Sequence, residues 1–431
     1  MSADRAADWL AAGDALRIIL AGVPTLGAEE RPLLHALGCV LTEDVVSPVH
    51  LPPWDNSAMD GFAARGTDVR GASPSAPRVL RVVDDVPAGH FASRAVGPGE
   101  AIRIMTGAPV PEGADCVIRV EHTDGGRMIG TAEGAVSIVS DVDAGRNVRP
   151  RGEDVRTGDA VLRAGTVLRA PELAVAAAVG RARLPVVRRP VVAVLASGDE
   201  LVPVEEFDEV RAGRRIVSTN SYALAAQLAE SGMEARVLGI ARDTPASLRE
   251  HVARAAGCDA LVTTAGISVG EHDHVIGALQ SFGTEIGFWR VRIRPGSALA
   301  FGRVGGLGGI PWFGLPGNPV STLVTFELFV RPALLRMAGH ARVHAPLVDA
   351  VMRDAYGARG ELVHVPRVRL AREAHGSVSA RLTGAQGSGV GTSMAAADGL
   401  AIVPAGTELH PGDPVRVLVL GGAPLVDDAP F

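Results

Sequence analysis

The chain has 431 residues and a mass of 44.4 kDa, which at about 100–200 residues per domain means two to four domains with ample apolar surface for true cores. Hydrophobic residues at 47%, charged residues at 21% and a mean hydropathy of +0.21 exclude an intrinsically disordered chain. A net charge of −6 and 4% aromatics disfavour a nucleic-acid binder, which needs a basic surface and often stacking platforms.

All 42 cations are Arg. The absence of lysine removes a Walker A lysine, a Schiff-base lysine and a kinase-type lysine from consideration. An anion site in this chain has to use Arg, backbone N–H groups, Ser or Thr hydroxyls, or a metal. Cys39, Cys116 and Cys258 are widely spaced, so neither a disulfide framework nor a Cys-rich zinc site follows, and buried thiols are expected. Asp4, Asp8 and Asp14 argue against a secretory leader. The longest uncharged run, 304–326, is broken by six Gly and three Pro and does not read as a membrane span. A cytoplasmic location is the expectation.

In chain order, Trp9, Leu10, Leu16, Ile19 and Leu20 have helical spacing within 5–21. A second helix is expected over 28–37 and a strand over 39–46. Residues 49–146 hold many Gly and Pro between short β-like runs at 78–83, 101–104, 116–121 and 135–139, which predicts a compact β-rich unit. Residues 147–186 return to mixed character, with a short helix at 171–180 opened by Pro171 and ended by Gly180. Strand and helix alternate over 187–338. Strands are predicted at 190–197, 234–241 and 259–266. Helices are predicted from Asn220 as cap to Ser231, from Thr244-Pro245 to about Ala256, and near 273–282. This rhythm implies a parallel sheet covered on both faces. A long helix is expected from Pro319 through Ala338, capped by Asn318. Residues 345–425 are strand-rich again and predict a small barrel or sandwich.

Seven segments carry candidate chemistry. LPPWDNSAMDGFA (51–63) sets Asp55 and Asp60 in a turn-rich stretch, where a solvent-facing Asx turn is the bland alternative to a site. Thr106-Gly107 breaks a strand and leaves a hydroxyl and N–H groups of the kind that can hold an anion, or else forms an ordinary turn. RGEDV (151–155) is a charged turn containing Asp154. ASGDEL (196–201) places Asp199 and Glu200 beyond a strand's carboxyl end, where open α/β sheets bind ligands. TTAGISVGEHDHV (263–275) is a Gly-rich strand-to-helix loop in which Thr264, Gly266, Ser268 and Gly270 can donate to a phosphate and Asp273 can approach a metal. Its His272 and His274 do not have zinc-protease spacing. Arg290, Arg292 and Arg294 alternate and would share one face of a strand, either for a large anion or as a solvated edge. GLPGNPVS (314–321) forms a rigid turn before a helix, with N–H groups that attract anions. Together these point to a Mg-dependent enzyme acting on a nucleotide-like anion.

In combination and in this order, these segments, with GAQGSG near the C-terminus, resemble the molybdopterin molybdenumtransferase family, which includes MoeA and the E domain of gephyrin. The resemblance runs from the first helix to about residue 425. It implies an α/β multidomain protein in four parts: an elongated mixed domain (1–48 and 147–186), a β-rich inserted domain (49–146), a central MogA-like parallel α/β domain that binds molybdopterin (187–338), and a C-terminal β-barrel-like domain (339–431). The implied reaction is Mg²⁺-dependent insertion of molybdate into adenylylated molybdopterin, with release of AMP. A homodimer with the active site at its interface is implied. Contact with a molybdopterin adenylyltransferase and with molybdoenzyme chaperones is a further implied partnership, and neither nucleic acid nor membrane is expected.

By the same resemblance, Asp60, Thr106, Asp154, Glu200, Asp243 and Asp273 match active-site positions, with Glu200 and Asp273 toward Mg²⁺. Thr264, Gly266, Ser268 and Gly270 would hold the phosphate. Arg290, Arg294, Ser297, Pro316, Gly317, Asn318, Pro319 and Ser388 would form the anion and molybdate pocket. The family's Lys-Pro-Gly-Lys-Pro run reads Arg294-Pro295-Gly296-Ser297-Ala298 here, its double Gly reads Ala265-Gly266, and an expected Arg is His364. A left-handed backbone at Ala265 would cost about 1 kcal/mol or more. Two rival readings are a molybdopterin adenylyltransferase and a non-catalytic cofactor carrier or scaffold.

Overall fold

The computed structural model describes residues 9–124, 134–265, 274–373 and 376–421. The chain divides into two compact units: Met1–Arg31 with Gly38–Thr42 and Pro185–Phe431, and Pro32–Leu37 with Glu43–Leu184.

The unit built on Glu43–Leu184 is organised by a five-stranded sheet. Its strands are β1 (Gly61–Ala64), β2 (Arg78–Val86), β3 (Glu100–Ile104), β4 (Cys116–Arg119) and β5 (Gly134–Ile138), in the order β4-β1-β3-β2-β5. β1 and β3 are apolar without alternation because both sheet faces are covered. Phe62, Ala64, Ala101 and Ile118 pack on one side, and Ala63, Ile102, Ile104 and Val117 on the other. A short helix, Ala170–Ala178, has Pro171 in its first turn and is capped from Glu172, whose carboxylate accepts the Arg169 backbone N–H at 2.9 Å and its guanidinium.

Two expectations in the first fifty residues fail for local reasons. Over 28–37 there is a strand, Ala28–Pro32, followed by one 3₁₀ turn, Leu33–Ala36, because Pro32 has no N–H to continue a helix. Within 39–46 only Val45–Val46 is a strand. The adjacent Asp44 carboxylate accepts the Ala164 N–H at 2.8 Å and Arg163 at 2.7 Å instead of sitting in a ladder.

In the other unit, helix Ala12–Gly22 buries Ala15 and Ile19. The central sheet contains β6 (Val191–Ser197), β7 (Glu234–Ala241), β8 (Ala260–Thr264), β9 (Thr284–Trp289), β10 (Ala300–Val304) and β11 (Ile310–Leu315), in the order β7-β6-β8-β11-β10-β9. β7, β6, β8 and β11 are parallel, while β10 runs antiparallel to both β11 and β9. The helices are α1 (Thr219–Glu230), α2 (Pro245–Ala253), α3 (His274–Ser281) and α4 (Pro319–Thr325). Successive β6 residues serve opposite cores. Val192 and Val194 meet Leu224, Leu228, Val320 and Val324 of α1 and α4, and Ala193 and Leu195 meet Leu248, Val252, Val275 and Leu279 of α2 and α3. Each such buried Val or Leu contributes about 1.5–3 kcal/mol, so both faces have to be covered for the sheet to persist.

The helix after Asn318 is not continuous. A π turn, Phe326–Val330, separates α4 from Arg331–Met337. Pro332 cannot donate to the carbonyl of Leu328, and the ladder shifts register there. The last part of the chain is a closed barrel of β12 (Leu347–Met352), β13 (Arg367–Arg372), β14 (Val378–Leu382), β15 (Gly399–Ile402) and β16 (Pro414–Val419), ordered β12-β14-β13-β15-β16. Closure selects the barrel over the sandwich and removes exposed strand edges. Among the described residues no helix is long and apolar enough to cross a membrane.

Candidate functional site

Strand register builds the first group, in the unit of Glu43–Leu184. Gly61 of β1 pairs with Ile104 of β3, which brings the residues just outside those ends, Asp60 and Thr106, together. One Asp60 carboxylate oxygen accepts both the backbone N–H and the hydroxyl of Thr106, each at 2.7 Å. Gly107, at φ +83°, turns the chain so that its N–H reaches the Ser57 carbonyl at 2.8 Å. The Thr106 N–H, then its hydroxyl, and the more distant Arg103 charge hold the Asp60 carboxyl below its ordinary value, so it is an anion at neutral pH. Asp154 is exposed in the 151–155 turn, where its N–H donates to the Leu51 carbonyl at 3.0 Å. That turn is tied to the 51–63 segment at a second point, because Arg151 N–H donates to the Asp55 carboxylate at 2.6 Å. Among the described residues no hydrogen bond joins Asp154 to Asp60 or Thr106.

A second group lies in the larger unit at the carboxyl ends of β6 and β7. Asp199 and Asp243 are exposed and cross-linked, each backbone N–H lying 3.4 Å from the other's carboxylate. Arg215 and Arg242 both donate to the Asp199 carbonyl, the latter at 3.3 Å. Glu200 folds beneath Gly198, where a Cβ would stand 2.6 Å from its carboxylate. Gly198 adopts φ +148°, a backbone conformation that favours glycine, whereas the Glu200 carboxylate, at the end of an exposed side chain, could swing away from a Cβ. Among the described residues no group of three or more His, Cys, Asp or Glu is placed to hold a metal. Mg²⁺ does not need one, since it takes one or two carboxylates and completes its octahedron with water and substrate phosphates. The exposed pair Asp199 and Asp243, each carboxylate set against the other's backbone N–H, offers hard-oxygen donors of that number, with Glu200 next to Asp199 in the chain. Asp273 lies outside the described residues, as do Gly266, Ser268 and Gly270.

The third group is a cavity of about 310 Å³ lined by Arg294, Ser297, Asn318, Ser321, Gln386 and Ser388, among others. Pro316 also lines it, and among the described residues no carboxylate does. The adjoining Gly317 accepts the Asn220 side-chain N–H on its carbonyl at 2.8 Å. Asn220 therefore braces this turn instead of capping α1, whose cap position is Ser218. Asn318 occupies the α4 cap position without a side-chain cap bond, and Pro319 follows as the first helical residue. Gly296, at φ +106°, runs so close to α4 that a Cβ would stand 2.4 Å from the Thr325 methyl. Thr264 is buried at the end of β8. Ala265 follows at φ +68°, a left-handed conformation that favours Gly, and its Cβ is 3.2 Å from where a Gly317 Cβ would be.

A second cavity of about 290 Å³ shares Arg294, Pro295, Gln386 and Gly387 with the first and adds Tyr356, His364 and Arg367. His364 is 4% exposed, and its Nδ1 is 3.0 Å from the Tyr356 hydroxyl. Burial first, and the Arg294 charge second, push the His364 pKa down, so the ring is neutral at pH 7.

The expected arginine stripe is not one strand face. Arg290 has φ +81°, which breaks the alternation, and only Ile293–Arg294 is extended in a ladder. The Arg290 guanidinium lies 5.3 Å from the Trp9 ring centroid, in cation–π geometry, and is not among the residues lining the cavity. Arg294 alone of the two predicted anion-binding arginines lines it. Arg367, Gln386 and Asn220 carry this region and escaped sequence reading. An Arg in a strand reads as solvent-facing and an Asn before a helix reads as a cap, and only the GAQGSG run pointed toward the loop.

Three matches to known families cover most of the chain: the MoeA N-terminal region (domain I and II) over residues 10–180, a probable molybdopterin binding domain over 193–336, and the MoeA C-terminal region (domain IV) over 349–420. Molybdopterin molybdenumtransferase 2 of Mycobacterium tuberculosis is 39% identical over 327 residues, 74% of this chain and 78% of that protein. The molybdopterin molybdenumtransferase of Bacillus subtilis is 33% identical over 385 residues, 88% and 87% respectively. A crystal structure of the molybdopterin biosynthesis MoeA protein of Pyrococcus horikoshii superposes with TM-score 0.77 at 31% identity, covering 96% of this chain and 100% of that one.

Proposed function

Because the chain belongs to the molybdopterin molybdenumtransferase (MoeA) family, we propose that it transfers molybdenum to molybdopterin, inserting molybdate into the adenylylated form and releasing AMP with the help of Mg²⁺. The observation that carries this reading is the cavity of Arg294, Ser297, Asn318 and Ser388, free of carboxylates among the described residues. A tetrahedral dianion needs positive charge and several donors in a space without competing anions, and this cavity supplies them. The sulfur ligands of the metal belong to the pterin dithiolate, which agrees with three cysteines that are all buried.

One or two of the carboxylates of Asp199, Asp243 and the neighbouring Glu200 would hold Mg²⁺, which would supply charge neutralisation of the phosphate oxygens. Arg294 neutralises and orients the oxyanion. Asp60, kept ionised by Thr106, offers an acceptor of fixed direction at the end of β1. Homodimerisation, implied by the family resemblance, belongs to the same proposal and is checked by light scattering.

The test is AMP release from protein loaded with adenylylated molybdopterin, with and without molybdate and Mg²⁺. Release that requires both is expected. Tight binding without release would overturn the transferase reading in favour of a cofactor carrier, which the left-handed Ala265 and the lost lysine at Ser297 favour. Robust adenylylation of molybdopterin from ATP would instead assign an adenylyltransferase.

A further inference from the structure

Arg367, the first residue of β13, is 0% exposed, yet no carboxylate lies within ion-pairing distance of it among the described residues. A buried guanidinium without a counter-ion is rare, because the desolvation it suffers has to be offset by other polar groups. Here those groups are nearly all in one loop. Nη1 donates to the Gln386 carbonyl at 3.2 Å, and Nη2 donates to the Ala385 carbonyl at 3.0 Å and the Gly387 carbonyl at 3.1 Å. Nε and Nη2 both donate to the Ser393 hydroxyl, at 3.1 and 2.8 Å. The Arg367 backbone N–H reaches the Gln386 side-chain oxygen at 2.8 Å. One fork thus serves three successive carbonyls and the Ser393 hydroxyl, more acceptors than the three N–H groups of an ammonium can serve.

The gripped loop is a wall of both cavities, through Gln386 and Gly387, and it continues into Ser388 of the first. The Ser388 carbonyl in turn accepts the Val320 N–H of α4 at 3.0 Å. The chain of contacts therefore runs from the barrel strand, through the loop, to the turn that carries Asn318.

We propose that Arg367 is the positioning residue of the oxyanion pocket: it fixes the 385–388 loop so that Gln386, Gly387 and Ser388 stand opposite Arg294 and Ser297. This rests on the reading of that cavity as the molybdate pocket. Burial lowers the Arg367 pKa, in keeping with a charge held by carbonyl dipoles and not by an acid.

Two variants test it in the full-length protein. Arg367→Lys keeps the charge and loses the fork, and Ser393→Ala removes one anchor only. Three quantities are read: amide hydrogen exchange over 385–390, the KM for molybdate against kcat in AMP release, and Tm. In Arg367→Lys, exchange in the loop should rise while the amides of β14 and β15 stay protected. The molybdate KM should rise about 100-fold with kcat changed far less, the effect of a roughly 1 Å misplacement of positioning groups. Ser393→Ala should shift both in the same direction by less. Unchanged loop exchange in Arg367→Lys would overturn the proposal whatever the enzyme does. So would a fall in kcat at constant KM, or a drop in Tm with general loss of protection. If loop exchange rises but the unaltered protein releases no AMP, the functional reading fails while the loop anchor stands.

Discussion

The Asp60 turn and the Arg294 cavity both fix polar groups at the ends of secondary-structure elements, but by opposite means. At Asp60 the work is done inside one sheet: a single antiparallel register, Gly61 opposite Ile104, brings carboxylate and Thr106 together. At Arg294 three segments from different elements have to converge, namely 294–298, 316–321 and 386–388, held by Gly296 against Thr325, Asn220 on Gly317 and Arg367 on the loop. A site built by register should be sensitive to the ladder and indifferent to distant packing. A site built by convergence should fail from several directions.

The sharpest way to break the comparison is at its glycines. A Cβ on Gly61 would stand 1.9 Å from the Ile118 carbonyl oxygen, so Gly61→Ala should destabilise by about 4 kcal/mol in urea unfolding. Gly296→Ala should destabilise by about 3 kcal/mol, since it meets only a methyl group but keeps a left-handed backbone. Adding Thr325→Ser should restore part of that loss, whereas no neighbouring truncation rescues Gly61→Ala.

Arg294→Ala should weaken molybdate binding about 30-fold or more in calorimetry, because it removes the arginine that lines the first cavity. Tm should change little, as Arg294 is exposed.

The two regions should also differ in their response to acid. The Asp60 pKa is depressed by Thr106, so its contribution is present above the unfolded carboxylate value and is lost as pH falls through the folded one. Thr106→Val should cost about 1 kcal/mol at neutral pH, and the difference from the unaltered protein should vanish in strong acid. His364 is likewise depressed, by burial first and Arg294 second, so its stabilising effect is complete above the ordinary His value and is lost as pH falls below it. Thermal unfolding at about pH 7 and about pH 5 should show a loss that His364→Gln reduces.

The smallest effect is expected at Ala265. Ala265→Gly relieves a left-handed Cβ and should raise stability by up to about 1 kcal/mol.

Sequence alone carried the alternation of strands and helices over 187–338, because a sheet buried on both faces leaves continuous apolar strands and periodic helices. It also singled out Asp60, Thr106 and Arg294 as polar groups at breaks in apolar segments, where loops present side chains, while Ser297 and Ser388, which the structure places on one cavity with Arg294, came only from the family resemblance. It did not carry what depends on the path of the backbone between elements. The positive φ at Arg290 turned a predicted stripe into a cation on Trp9, Pro32 put a strand and a 3₁₀ turn where a helix was predicted, and Pro332 put a π turn inside the helix predicted from Pro319 to Ala338. Arg367 was invisible because a strand arginine is ordinarily solvated, and its burial is decided by a loop that lies eighteen to twenty residues away. Local patterns record which groups a segment can bury or expose. Which of those groups meet is decided by closure of the barrel and by its packing on the sheet, where the free energy lies in contacts between residues distant in the chain.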